Sequence, residues 1–393
     1  MTPAARSQAA IELLDEIVAA AEGAGAAADT LIARYFKTRR YAGSADRRAV
    51  RELVFGAVRR AGERPVSGRA ALLGLAKDYP DLLATLDGSP HGAAPASPDE
   101  AVATAGIAPA WLLERFDPLV AADERAALLE RAPLDLRVNS LRGTREEALA
   151  ALPEAVPSPW SPLGLRLPDG ARIEQHEIWR RGLIEIQDEG SQLICLACAA
   201  EPDMVVVDLC AGAGGKTLAL AAAMANSGRL IACDTDRGRL GRMAPRLHRA
   251  GVGIVEERLL NPQKEAEMLA DLAGTADLVI VDAPCSGTGT WRRNPEARWR
   301  ITPDRLDRLT ALQARLLDLA QGLLRPGGTL VYAVCSLLTE EGRAQAEALA
   351  GRSSLVALPL AMPTGRASGQ GWLLSPARDG TDGFFVARWQ SPC

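Results

Sequence analysis

Two hydrophobic rhythms divide the chain. Over the first seventy-five residues, apolar side chains recur every three to four positions. Ile11, Leu13, Leu14, Ile17 and Val18 form one stripe, Leu31, Ile32, Tyr35 and Phe36 a second, and Val50, Leu53, Val54, Ala57 and Val58 a third. The spacing predicts three amphipathic helices, the last beginning near Ser44-Ala45-Asp46. Residues 88–106 are rich in Gly, Pro, Ala and Ser and read as a linker. Pro109-Ala110-Trp111-Leu112-Leu113 then opens a helical piece reaching about 131.

Beyond that point the rhythm shortens. Residues 134–139 alternate as a strand, Thr144 stands as a helix cap, and residues 183–188 form the next strand. Between them, residues 153–168 are proline-rich and read as loop. Unbroken apolar runs follow: Val205-Val206-Val207-Asp208, Leu230-Ile231-Ala232-Cys233-Asp234, Leu278-Val279-Ile280-Val281 and residues 329–334. Bounded by turn signals, they predict buried parallel strands. Residues 217–225 and 303–324 are helices, the second stopped by Pro326-Gly327-Gly328. A turn at 379–383 leads into residues 384–389, expected as a hairpin strand closing the sheet edge. Alternating strands and helices predict a doubly wound α/β sheet. The expected architecture is multidomain: an all-helical domain over 1–130, a small α/β subdomain over 131–190 and a Rossmann-like domain over 191–393.

Composition narrows the picture. A chain of 393 residues exceeds one ordinary domain. It has no apolar run long enough to span a membrane, no export core at its start, and seven scattered Cys, which together predict a cytoplasmic protein with reduced thiols. The net charge of −4 argues against non-specific coating of nucleic acid. Residues 31–70, however, hold eleven basic residues, Arg39, Arg40 and Arg47 among them, against three acids. That local excess points to a phosphate backbone, the plain alternative being a solvated Arg-rich surface. Lysine is rare, at positions 37, 77, 216 and 264 only, which singles out Lys216 inside a glycine loop.

Chemistry-bearing residues gather where strands end. Gly212, Gly214 and Gly215 separate a strand from a helix and allow a ligand close to the backbone. Asp234 ends the next strand, where a carboxylate can accept both hydroxyls of a ribose. An adenosine-containing cofactor follows. The loop is neither a dinucleotide fingerprint nor a Walker sequence, so S-adenosylmethionine, which has no phosphate, fits better than a nicotinamide dinucleotide or ATP. Asp282 and Cys285 follow one strand and Cys335 ends another. Thiols held there are accessible and nucleophilic as thiolates. Cys195, Cys198 and Cys233 lie in apolar runs and read as buried small hydrophobes. The Cys195-x-x-Cys198 pair has no second pair or neighbouring His, so no metal is expected. Trp291, Arg292, Arg293, Arg298 and Trp299 follow the Cys285 loop, an interleaving that suits phosphate contact and base stacking. The alternative is an ordinary loop with core tryptophans.

Several motifs carry a family resemblance. Asp208-Leu209-Cys210-Ala211-Gly212-Ala213-Gly214-Gly215-Lys216-Thr217, Asp282-Ala283-Pro284-Cys285-Ser286-Gly287-Thr288-Gly289 and Val334-Cys335-Ser336 occur in the order seen in RNA (cytosine-5) methyltransferases of the Sun/Fmu type. Leu136-Arg137-Val138-Asn139-Ser140-Leu141, Gln187-Asp188-Glu189-Gly190-Ser191-Gln192 and Asp382-Gly383-Phe384-Phe385 are also similar to that family. The stretch 46–59 resembles the NusB-like RNA-binding domain. The resemblance implies S-adenosylmethionine held by Cys210, Ala211, Gly212, Ala213, Gly214, Gly215, Lys216, Asp234, Asn261 and Asp282. It implies Cys335 as the nucleophile on C6 of cytosine, Asp282 at N3 and Cys285 in release. Two departures stand out: Ala213 replaces a usual Pro, and Asn261 stands where the third strand usually ends in Asp. The expected activity is methylation of small-subunit (16S) ribosomal RNA by a monomer without metal. The same chemistry on transfer RNA or another RNA, and a non-catalytic RNA-binding assembly factor, remain as alternatives.

Overall fold

The computed structural model describes every residue except Ala24, Asp169 and Gly170. The chain forms two compact units, one of Met1–Phe116, Ala121–Glu130 and Thr290–Pro303, the other of Asp117–Val120, Arg131–Gly289 and Asp304–Cys393.

The first unit is helical. Its main helices are α1 (Pro3–Ala21), α2 (Ala28–Thr38), α3 (Ser44–Arg60) and α4 (Gly68–Ala76). Thr2 caps α1 by accepting from Ala5 N, with Pro3 at the first helical position, where its missing N–H costs nothing. The predicted stripes meet in one core: Leu13, Leu14, Ile17, Val54, Val58 and Leu72 are buried together. Gly68 starts α4 because a Cβ there would lie 2.3 Å from Ile11 O of α1. The expected linker is tied down: Ala103 N donates to Ala70 O at 3.0 Å, and Arg69 pairs with Glu100. The helical piece expected from 109 to 131 is broken into Ala110–Leu113 and Ala122–Ala127.

Two sheets organise the second unit. The smaller is antiparallel, ordered β2 (Val156–Pro157), β3 (Gly164–Leu167), β1 (Leu134–Val138), β4 (Ile184–Ile186). The proline-rich stretch read as loop therefore supplies two strands. Leu165 and Leu167 are buried against this sheet's core, and Pro157 is tolerated because β2 is an edge.

The larger sheet carries the parallel strands β5 (Val205–Asp208), β6 (Arg229–Asp234), β7 (Val255–Leu259), β8 (Ala276–Asp282) and β9 (Leu324–Val334) in the order β7-β6-β5-β8-β9. Antiparallel β13 (Phe384–Gln390), β12 (Gly371–Leu374) and β11 (Arg366–Ser368) extend it, and β10 (Val356–Ala357) also pairs with β13. β13 was expected at the edge but lies between β9 and β12, because Phe385, Ala387 and Trp389 join the core of the parallel strands. Strand order reverses between β5 and β8. A crevice opens beyond their carboxyl ends, and both the glycine loop and Asp282 lie there.

Segment 290–303 departs from the expected domain boundaries. It interrupts the Rossmann-like part in sequence yet packs within the helical unit. Glu296 accepts from Ala28 N at the start of α2 (2.9 Å), and Trp299 Nε1 donates to Ala61 O just past α3 (3.0 Å).

Candidate active site

The glycine loop turns between β5 and the helix Gly215–Ala223. Gly212 and Gly214 have φ of +57° and +84°, conformations that side chains rarely adopt. Gly214 is the left-handed residue that starts the helix. Asp234, at the end of β6, accepts from Gly212 N through Oδ2 (2.8 Å) and from Asp236 N through Oδ1 (2.7 Å). Each carboxylate oxygen keeps a further lone pair for a hydroxyl. Arg239 lies 3.9 Å from Asp234 and covers Gly212, where a Cβ would meet its guanidinium at 2.6 Å. Ala213 O accepts from Arg246 at 2.6 Å, and Ala211 N donates to Cys233 O at 2.8 Å. At Gly215 a Cβ would meet nothing within 4 Å, so the loop faces open space there. Asn261 is exposed one residue beyond Leu260, whose N–H donates to Asp234 O. Gly212 and Asp234 are thus brought together beyond the carboxyl ends of β5 and β6, with Asn261 just past the strand beside them.

Asp208 ends β5 just before the glycine loop. It is fully buried, with Oδ2 accepting from Thr217 at 2.7 Å. Burial first, and then the Asp282 charge, push its carboxyl up to about 7.

The two thiols share one pocket. Cys285 Sγ and Cys335 Sγ lie 3.4 Å apart, both partly exposed and neither in a disulfide. Asp282 accepts from Lys216 Nζ at 2.7 Å. Lys216 is 10% exposed and Asp282 32%, so the acid keeps an open face while the lysine is committed to it. The lysine of the glycine loop thus serves the catalytic strand. Burial opposes its charge, but the Asp282 carboxylate outweighs that and raises it above the ordinary lysine range. Cys285 is held well above the usual thiol range by its hydrogen bond to Cys335, by burial and by charge on Cys335. Two negative charges that close are disfavoured, so a charge on Cys335 works against a second one on Cys285.

The geometry reveals a residue that sequence reasoning missed. Glu341 is fully buried and ties the two thiol loops together. It accepts from Ser286 N (2.8 Å), Ser336 Oγ (2.5 Å) and Gln313 Nε2 (3.0 Å), and also from Ser286 Oγ. Thr288 Oγ1 accepts from Leu337 N at 2.8 Å, and Gly289 N donates to Cys335 O at 3.0 Å. Nothing in the run Thr339-Glu340-Glu341-Gly342 distinguishes this glutamate from its neighbour.

The arginines expected to meet RNA divide. Arg298 is fully buried, and its guanidinium donates to Val58 O (2.5 Å), Ala61 O (2.8 Å) and Pro295 O (2.5 Å). It caps the carbonyl end of α3, where helices leave acceptors unpaired and favour a cation. Burial pushes its guanidinium down to about 9. Trp291 is 0% and Trp299 5% exposed, so both are core residues and not stacking platforms. Arg292 is also buried and Arg293 half-buried. In the helical unit, Arg39 lies 3.6 Å over the Tyr35 ring and pairs with Glu12, whereas Arg40 and Arg47 are exposed. The upstream motifs serve as joints. Asn139 Nδ2 donates to Gly182 O and Ala250 O, and Asp188 caps the helix Glu189–Ala197. Among the described residues, no group of three or more His, Cys, Asp or Glu could hold a metal, and no helix is long and apolar enough to cross a membrane.

A parallel sheet whose strand order reverses between β5 and β8, with a glycine loop and Asp234 at its carboxyl ends, has the Rossmann-like methyltransferase fold. The model for the family "16S rRNA methyltransferase RsmB/F" matches residues 195–390, and the chain belongs to this Sun/RsmB-type family. It is 32% identical over 289 residues to the ribosomal RNA small subunit methyltransferase B of Salmonella typhi, covering 71% of this chain and 65% of that protein. To the same-named protein of Pectobacterium atrosepticum it is 33% identical over 296 residues, again covering 71% and 65%. The chain thus spans just under two thirds of the length of these relatives. Among solved structures, PH0851 superposes with a TM-score of 0.78 at 22% identity, over 100% of this chain and 99% of that one. A methyltransferase homolog from Pyrococcus horikoshii gives 0.63 at 28% identity, over 72% and 94%. NSun6 from Pyrococcus horikoshii, solved with SFG, gives 0.62 at 20%, over 67% and 92%, a likeness of fold.

Proposed function

We propose that the chain transfers a methyl group from S-adenosylmethionine to C5 of a cytidine in small-subunit ribosomal RNA. The observation that carries this reading is the 3.4 Å approach of Cys285 Sγ to Cys335 Sγ beside Asp282. C5 of cytosine is a poor nucleophile, and a thiolate added to C6 makes it a good one. Cys335, as the thiolate, forms that C6–S bond as the C5–C6 π bond opens, and Asp282, carrying a proton, donates it to N3 where the electron density collects. The cofactor supplies an electrophilic methyl group. Glycine-loop residues 210–216, Asp234, Asn261 and Asp282 would hold it. While Cys335 carries charge, Cys285 keeps its proton. Once the Cys335 sulfur is bound to C6 the charge beside Cys285 is gone, and Cys285, its own proton released to solvent, takes the C5 proton as the C5–H electron pair expels Cys335 from C6 as a thiolate. The base must leave any stack to be attacked at its face.

The helical unit is read as a NusB-like RNA-binding domain over residues 1–130, with Arg40 and Arg47 on phosphates. The test is incorporation of labelled methyl groups into ribosomal and transfer RNA, followed by mapping of 5-methylcytosine. Label in small-subunit RNA supports the reading. Label confined to transfer RNA moves the substrate, and binding of S-adenosylmethionine with no label in any RNA favours an assembly factor.

A further inference from the structure

A second basic feature lies outside the thiol pocket, wholly within the second unit. A groove of about 660 Å³ is lined by Arg142, Arg180, Arg181, His248 and Arg249, with Trp179 in its wall and Glu174 the one acid among the described residues that line it. Three segments that are remote in sequence build it: the turn after β1, the short helix Glu177–Arg180 and the helix Met243–Ala250. The chain as a whole is acidic, at −4, so this concentration of guanidinium groups is local.

The arginines differ in their commitments. Arg249 lies 3.9 Å over the Trp179 ring and pairs with Glu185, which is buried. Arg181 is 3.8 Å from Glu177 across exposed surface, a weak pair. Arg142 and Arg180 are exposed and paired with no carboxylate among the described residues; Arg142 Nε donates to Ala250 O at 3.2 Å. Two guanidinium groups thus stand free of acids on a rigid frame, with their forks matched to phosphate oxygens.

Placement adds a second argument. Glu185, behind the groove, also pairs with Arg246 at 3.0 Å, and Arg246 donates to Ala213 O of the glycine loop. The groove therefore adjoins the glycine loop along a helix of eight residues, about 12 Å.

We infer that this groove is a phosphodiester subsite, gripping the backbone of the RNA away from the base in the thiol pocket. The inference rests on the proposed RNA activity. Phosphate contacts fix register without reading sequence, so Arg142 and Arg180 act in positioning.

The test is filter binding of a small-subunit ribosomal RNA transcript by the full chain across a salt series, with Arg142→Glu/Arg180→Glu beside wild type. The double variant is expected to bind about tenfold more weakly and to lose about two units of salt slope, one per phosphate contact. Its S-adenosylmethionine affinity by calorimetry stays unchanged. The single variants Arg142→Gln and Arg180→Gln each show about half the slope loss, which keeps the test open should the double variant misfold. RNA affinity and slope equal to wild type overturn the subsite alone. Failure of the wild-type chain to bind any RNA overturns the RNA activity and the subsite together. Unchanged RNA binding with lost capture of an acidic protein reassigns the groove and overturns the phosphodiester reading.

Discussion

Cys285 Sγ lies 3.4 Å from Cys335 Sγ, although fifty residues separate them in sequence. A separation this short lets one thiol respond to the charge of the other, and it divides their roles. Cys335→Ala is expected to abolish both methylation and any denaturant-resistant RNA adduct. Cys285→Ala is expected to form the adduct and fail to release it. Denaturing gels of enzyme with labelled RNA distinguish the two. An adduct on Cys335→Ala but not on Cys285→Ala would reverse the assignment.

Glu341 holds both thiol loops, through Ser286 and Ser336. Glu341→Gln keeps the shape but places an amide donor where hydroxyls now donate. The expected loss is about 1–3 kcal/mol of stability. Turnover should fall while RNA affinity stays, because the thiols lose their fixed spacing. Thermal melts and steady-state kinetics check this, and wild-type values in both would remove Glu341 from the positioning of the site.

Arg298→Ala leaves Val58 O without its side-chain donor and Ala61 O with Trp299 Nε1 alone, inside the helical unit. A loss of about 2–4 kcal/mol is expected, since hydrogen bonds from charged groups are worth about 1.5–3 kcal/mol each and are not additive. Arg298→Lys should rescue little, because an ammonium lacks the fork. Limited proteolysis locates the weakening. A variant that melts like wild type and binds RNA more weakly would restore the RNA contact.

Asp208 gives a pH signature. Its folded-state carboxyl sits at about 7 against an ordinary 3.8, so the folded chain holds the proton more tightly than the unfolded one. The stabilising contribution is complete below the unfolded value and is lost as pH rises towards about 7. Asp208→Asn is expected to gain stability relative to wild type across that window, by at most about 1.4 kcal/mol per unit of displacement. Urea midpoints of both proteins, compared pH by pH, check the sign. A gap that stays constant from acid to neutral would show that Asp208 does not carry it.

Much of the architecture follows from local pattern. The runs ending in Asp208, Asp234 and Val281 are strands because unbroken apolar residues suit a sheet covered on both faces. The glycine loop declared itself because positive φ at Gly212 and Gly214 asks for that residue type. The stretch 153–168 misled because its prolines outweighed two short runs of strand.

Three outcomes needed the tertiary structure. The fate of Arg298 depends on carbonyls at the end of α3, up to 240 positions away, which turn a basic residue in a loop into a buried cap. Whether Lys216 faces solvent or Asp282 depends on β5 and β8 being neighbours. Glu341 is one of two adjacent glutamates until the loops after β8 and β9 close around it. Periodicity, turn chemistry and motif order are written over a few residues at a time, so the sequence alone determined the parallel strands, the thiols and the acid at their ends. Which side chains meet across the switch point is a matter of strand adjacency, and the assembled sheet decided it.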